Sequence, residues 1–324
     1  MFVIRDFLCV PLRLRVLEAH IAINLIYMAT QFDEAIQPQQ MHGSASIGKR
    51  IDSHHHFWKF DPVRDSWITD DMYVIQRDFL PEDLRSVLLA NGIDGCVTVQ
   101  ADQSEEQNDF LIGHAKGNDF IKGIVGWVDL RAGNVSERLA HYSQFNIMKG
   151  FRHVLQGEAD RSLMLRPEFM RGIAALGQFN FTYDILIFAD QLKYIPEFVA
   201  AFPDQKFVID HMAKPKIKER DIGEWTKDMM EVAVHDNVYC KVSGMVTEAD
   251  WKNWKKEDLL PYLDVVLEAF GPNRIMYGSD WPVCLVASSY ERMYGVLTEY
   301  FSTFTKEEQD QFFGGNAIQF YNLT

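Results

Sequence analysis

The sequence is poor in cysteine, in basic charge and in long apolar runs, and each shortage excludes a class of function. Four cysteines, Cys9, Cys96, Cys240 and Cys284, are spread over 324 residues. None stands in a CxxC pair, so neither a zinc knuckle nor a disulfide framework is encoded. They read as buried free thiols in a reducing compartment, and a cytoplasmic location is expected. Lysine and arginine number 32 against 46 aspartates and glutamates, a net charge of −14. Such a surface repels phosphate backbones, which argues against nucleic acid as a partner. No stretch reaches the roughly 18 apolar residues of a membrane span. The nearest, residues 16–29, is interrupted by Glu18, His20 and Asn24. Those interruptions, and the lack of a small-residue cleavage site, also argue against a secretory leader. A small neutral or weakly charged substrate remains, with no membrane; assembly as a homo-oligomer stays open.

What is present is a rhythm. From Arg50 onward, short β-branched apolar runs alternate with longer stretches of helical spacing that open on acidic residues. The runs 50–55, 94–100, 121–128, 147–153, 181–187, 206–211, 237–243 and 274–279 predict strands. The stretches near 81–91, 104–116, 134–145, 167–178, 191–201, 221–235, 256–270 and 287–302 predict helices, and 305–323 predicts one more. Eight strand–helix units in about 270 residues point to an α/β chain folded as a (β/α)8 TIM barrel over residues 49–324. An open doubly wound sheet would carry a glycine-rich phosphate loop after its first strand. Here that strand runs into His-His-Phe-Trp. Residues 1–48 lack the rhythm and the acidic balance, and read as an extension outside the barrel that arises from an upstream start.

In such a barrel the reacting groups gather at the C-terminal ends of the strands. The first strand ends Asp52-Ser53-His54-His55-His56. Strict alternation would put Asp52, His54 and His56 on one face, where two imidazoles could reach one metal ion. The sixth ends Asp210-His211, and the eighth ends Gly278-Ser279-Asp280-Trp281, with Gly278 expected to leave room for a ligand. A carboxylate at that end, Asp280, can take a proton from water or ligate a metal. The fourth supplies Arg152 and His153, suited to an oxyanion, with Gln156 beyond. Gln100, Lys241 and Ser243 could bond a polyol, and Trp58, Trp67, Trp127 and Trp281 could stack on a sugar ring. No GxSxG elbow is present, which disfavours a serine esterase.

The segments IDSHHHFW, KGFRHVLQGE, VIDHMAKP, KVSG and GSDWPV, in that order, resemble the amidohydrolase superfamily. Within it they are similar to the branch of sugar-acid lactonases that act on L-fucono- and L-rhamnonolactones. The likeness runs from about Arg50 to Tyr321. It implies a hydrolase of carbohydrate metabolism that opens a sugar lactone, with Asp280 as general base assisted by His211. It also implies a divalent metal, zinc being the expected ion, held by His54, His56, His211 and Asp280. The fifth-strand histidine of the wider family is missing, since residues 181–195 offer only Asp184 and Asp190; some lactonases of the branch work without a catalytic metal. Rival readings on the same scaffold are hydrolysis of a non-sugar lactone, decarboxylation of an aromatic acid, and a non-catalytic sugar-binding barrel.

Overall fold

The structure, a computed structural model, describes residues 48–324, so the expectation for residues 1–48 lies, but for Gly48, outside the described residues. Among the described residues, eight parallel strands form one sheet in sequential order. They are β1 Ile51–His55, β2 Gly95–Val99, β3 Ile121–Gly126, β4 Met148–Val154, β5 Thr182–Leu186, β6 Phe207–Ile209, β7 Val238–Val242 and β8 Ile275–Tyr277. The sheet closes where His55 and Trp281 form a parallel bridge. There the His56 N–H donates to Trp281 O at 2.7 Å and the Asp280 N–H to His54 O at 2.8 Å. The fold is the (β/α)8 barrel that the alternation predicts.

Between and after the strands lie α1 Pro81–Ala90, α2 Glu105–Ala115, α3 Val135–Tyr142, α4 Pro167–Gly177, α5 Ile195–Ala200, α6 Gly223–Ala233, α7 Lys256–Phe270 and α8 Tyr290–Phe301. Their starts follow local chemistry. Pro81 sits in the first turn of α1, where its missing N–H costs nothing, and Asp83 accepts from the Leu80 N–H at 2.9 Å. The helix expected at 191–201 is split. Pro196 fits only a first turn, so α5 begins at Ile195 and residues 189–194 form a 3-10 helix before it. The expected C-terminal helix is three pieces, α9 Lys306–Asp310, a π-helical turn Gln311–Gly315 and α10 Asn316–Tyr321.

The barrel interior is layered. Ile51, Val97, Val99, Val125, Val208 and Met276 form an apolar floor against Ala317, Phe320 and Tyr321 of α10. Lys149 donates to Asn322 O and Lys206 to Gln319 O, which satisfies carbonyls at the end of that helix. A register shift between Asp52 and His55 breaks the alternation of β1. The expectation that Asp52 shares a face with His54 and His56 is therefore corrected. Asp52 accepts from Tyr290 of α8, outside the sheet, while His54 turns inward.

Candidate active site

Above the floor lies a layer of buried charge. Arg152 from β4 donates to Asp210 Oδ2 at 3.0 Å and to Gln100 O at 2.6 Å. Lys241 from β7 lies 2.5 Å from Asp184 Oδ2 and 3.0 Å from Asp210 Oδ1, and all three side chains are fully buried. Tyr321 donates to the same Asp184 oxygen at 2.8 Å, so the C-terminal helix joins the layer from below. Two cations thus face two carboxylates, the condition under which charge survives in a protein interior. Burial pushes Asp184 up to about 6. Asp210 also suffers from burial, but Lys241, His54 and Arg152 outweigh it and hold its carboxyl well below the usual range.

The next layer, at the C-terminal end of the strands, is built from His54, His56, His211 and Asp280. Nε2 of His54 and Nε2 of His56 stand 3.2 Å apart. The Asp280 Oδ1 atom is 3.5 Å from Nε2 of His56, 3.9 Å from that of His211 and 4.0 Å from that of His54. The far ring nitrogens are committed. Nδ1 of His56 faces Val99 O at 2.9 Å, Nδ1 of His54 lies 3.2 Å from both Asp210 Oδ1 and Lys241 Nζ, and Nδ1 of His211 faces Ser243 Oγ at 2.9 Å. A ring that donates its Nδ1–H outward leaves an Nε2 lone pair pointing inward. Burial drives the His54 pKa well below its ordinary value against the pull of Asp210. Burial likewise takes His211 down to about 4, against Asp280 and Asp210. Burial pushes the Asp280 carboxyl up, but its neighbours, the His211 ring, the hydrogen bond with His56 and the Lys214 ammonium, hold it below its ordinary value.

This donor set fits a divalent cation. Neutral imidazole lone pairs 3.2 Å apart repel unless a cation or proton lies between them. Ligand atoms around a tetrahedral ion at 2.0–2.1 Å stand about 3.4 Å from one another, close to the separations seen. A second group, His54, Asp210 and His211, also has the right atoms nearby. Its carboxylate, however, already belongs to Arg152 and Lys241.

Backbone conformation delivers these side chains. His211, Met212, Ala213 and Lys214 all have φ between 51° and 56°, a left-handed turn with no glycine in it. Such residues cost roughly 1–2 kcal/mol each. Asp280 has φ 57°, and its carboxylate faces the histidines while its carbonyl accepts from the Cys284 N–H at 2.9 Å. The room that Gly278 was expected to leave for a ligand is filled by His54. A Cβ at 278 would lie 2.7 Å from that of His54.

The remaining expected residues are spread more widely. Gln100 is buried and donates to Arg152 O. His153 faces the opposite side of β4 from Arg152, with Nε2 2.7 Å from Glu158 and its ring against Phe169 of α4. The structure does not bring it into the cluster. Trp58 is buried and donates to Arg77 O, and Trp281 packs between Phe57 and Phe79. Trp67 is 43% exposed at the ring of Trp58. The Trp127 indole N–H and the Gln156 side-chain oxygen are buried without a partner. Sequence reasoning left Asp210 without a role, although a charged residue inside the run FVIDH was the signal. It also passed over Lys214 and Glu248, which meet at 3.6 Å. Both line an open cavity of about 1250 Å³ among the loops that follow β1, β5, β6 and β7, with Tyr73, Phe188 and Trp251. The lining of this cavity holds none of the four cluster residues; Lys214, three residues beyond His211 in the same left-handed turn, joins the two along the chain. No helix among the described residues is long and apolar enough to cross a membrane.

A family model described as Amidohydrolase matches residues 51–323. An L-fucono-1,5-lactonase of Burkholderia multivorans is 38% identical over 285 residues, 85% of this chain and 96% of its own. An L-fucono-1,5-lactonase of Burkholderia ambifaria is 33% identical over 282 residues, with the same two coverages. The crystal structure of an amidohydrolase from Burkholderia multivorans with bound zinc superposes with a TM-score of 0.82 at 38% identity. It covers 85% of this chain and all of that one.

Proposed function

The chain belongs to the amidohydrolase family, and we propose that it hydrolyses a sugar-acid lactone at the His54–His56–His211–Asp280 cluster. The observation that carries this reading is the convergence of three imidazole Nε2 atoms on one carboxylate oxygen, at 3.5 to 4.0 Å, at the C-terminal end of the barrel. The names of the two Burkholderia lactonases supply the substrate class, an L-fuconolactone or a near relative of it.

His54, His56, His211 and Asp280 would hold a divalent ion, with zinc favoured by the nitrogen-rich donor set and by the zinc-bound structure it resembles. Bound there, the ion supplies Lewis acidity toward the lactone carbonyl and acidifies a water. The chain's own part follows from placement. Asp280 is the anion of the cluster and takes the proton that water loses on attacking the carbonyl. His211, kept neutral by burial, holds its Nδ1 against Ser243 and keeps its Nε2 lone pair for the ion. Asp210 and Lys241 both hold the His54 ring at its Nδ1, and Arg152 and Lys241 keep Asp210 ionised, which gives Arg152 a supporting part beneath the reacting centre. Lys214 lies on the cavity wall, 19% exposed at its side chain, where a developing oxyanion or the product carboxylate can meet its ammonium.

The cavity lining contains lysines but no arginine among the described residues, which suits a neutral polyol lactone better than an aromatic diacid. The test is a panel of aldonolactones in weakly buffered indicator solution, with an aromatic acid as control. Acid release on a sugar lactone supports the reading. Turnover of the aromatic acid alone, or of nothing in the panel, overturns it.

A further inference from the structure

The left-handed turn at residues 211–214 needs something to hold it. Single left-handed residues are common at turns, but four in succession without glycine are not a resting state of an L-peptide. Inside the turn, one bond joins its own ends, from the Lys214 N–H to His211 O at 2.8 Å. From outside, the indole N–H of Trp225 on α6 donates to Met212 O at 2.8 Å. The Met212 and Ala213 side chains beneath are fully buried, and the Trp225 ring leans on Tyr262 of α7, 5.4 Å between centroids. Trp225 is itself 4% exposed, borders the cavity that Lys214 also lines, and spends its one donor on Met212 rather than on a cluster residue. The two ends of the turn are functional. His211 carries an Nε2 to Asp280, and Lys214 carries its ammonium to the cavity wall. Relaxation of the turn toward right-handed backbone would swing both away together.

We propose that Trp225 is a positioning residue for the hydrolytic site, acting through Met212 to lock the left-handed turn that presents His211 and Lys214. The inference rests on the proposed reading of His211 as a metal-holding group. The indole is the right tool for the task. It offers one donor and no acceptor, so it can seize a carbonyl that a left-handed turn exposes without competing for its N–H groups.

The test uses the full chain and three variants. Trp225→Phe keeps an aromatic ring and removes only the donor. Ala213→Gly removes the steric cost of the left-handed conformation at one step of the turn. The third variant combines them. Zinc affinity is measured in metal-stripped protein by competition with a chromophoric chelator, beside kcat on the best lactone and thermal melting. Trp225→Phe should weaken zinc binding about tenfold, in line with losses on removing groups that orient ligands, and lower kcat by a similar factor. The double variant should recover most of both, and it carries the test alone should the single variant not fold. A variant that melts lower yet binds zinc and turns over like wild type, or a loss that Ala213→Gly does not restore, overturns the proposal. Should wild type take up no zinc, the metal reading fails separately and kcat across the three variants decides this one.

Discussion

Gly244 stands where any side chain would strike His211. A Cβ built at position 244 would lie 2.7 Å from His211 Nδ1, and the residue has φ +63°. The glycine therefore serves two needs at once, a left-handed backbone after β7 and clearance for the imidazole that bonds Ser243.

Gly244→Ala should push the His211 ring off Ser243 and away from Asp280. The strain of the left-handed alanine should cost about 1–2 kcal/mol in urea unfolding. Activity should fall further than that loss explains, by at least about tenfold in kcat at a temperature where the variant is fully folded. Unchanged kcat in the folded variant would show that the position of His211 does not matter to turnover.

Lys241 answers to both Asp184 and Asp210, so Lys241→Met should leave two buried carboxylates facing each other. Removing one partner of a buried ion pair typically costs about 3–5 kcal/mol. Adding Asp184→Leu should return part of that loss, because one of the stranded charges goes with it. Denaturant unfolding of the two variants measures the difference. A Lys241→Met protein as stable as wild type would mean that the charged layer holds nothing together.

Much of this was legible beforehand, and the illegible part has a physical reason. Strands such as β2, GCVTV, and β6, FVI, follow from apolar, β-branched runs, because a parallel strand buried on both faces reads as a continuous apolar segment, whereas β1, IDSHH, and β4, MKGFRHV, carry charge and follow from their place in the alternation. The polar residues that end those segments, His54, His56, His211 and Asp280, stand out for the same reason. What sequence cannot show is who faces whom across the barrel. Asp184 meets Tyr321, 137 residues away, only because α10 plugs the floor. Adjacent strand residues point to opposite faces, so Arg152 and His153 could not both look inward, and strict alternation should have separated them. The same rule misleads for Asp52, where the irregularity in β1 resets the alternation. The left-handed turn at 211–214 leaves no trace in propensity, since none of its residues is glycine or asparagine.

Burial raises the Asp52 carboxyl to about 6, while the Ser279 and His54 N–H groups and the Tyr290 hydroxyl pull it the other way. The unfolded value is about 3.9. A carboxyl whose folded pKa lies above its unfolded one favours the native state while protonated. That contribution is complete below about pH 4 and is lost as pH rises through about 6. Asp52→Asn keeps an oxygen for the backbone donors and does not titrate. The stability of wild type relative to Asp52→Asn should therefore decline between pH 4 and pH 6, by roughly 3 kcal/mol at most. Urea titrations across that range, with chelator present throughout, measure it. A difference that is flat in pH, or that grows as pH rises, contradicts the placement of Asp52.

The most direct test of the account is kcat of Asp280→Asn on the best lactone, taken beside thermal melting of both proteins. The side chains are nearly isosteric, so the fold should persist, while an amide cannot accept the proton that the attacking water must lose. A positioned general base contributes about 10²–10⁴-fold, and a loss in that range with an unchanged melting temperature is the predicted result. A variant that melts like wild type and keeps more than about a tenth of its kcat would remove Asp280 from the reaction, and with it the proposed mechanism.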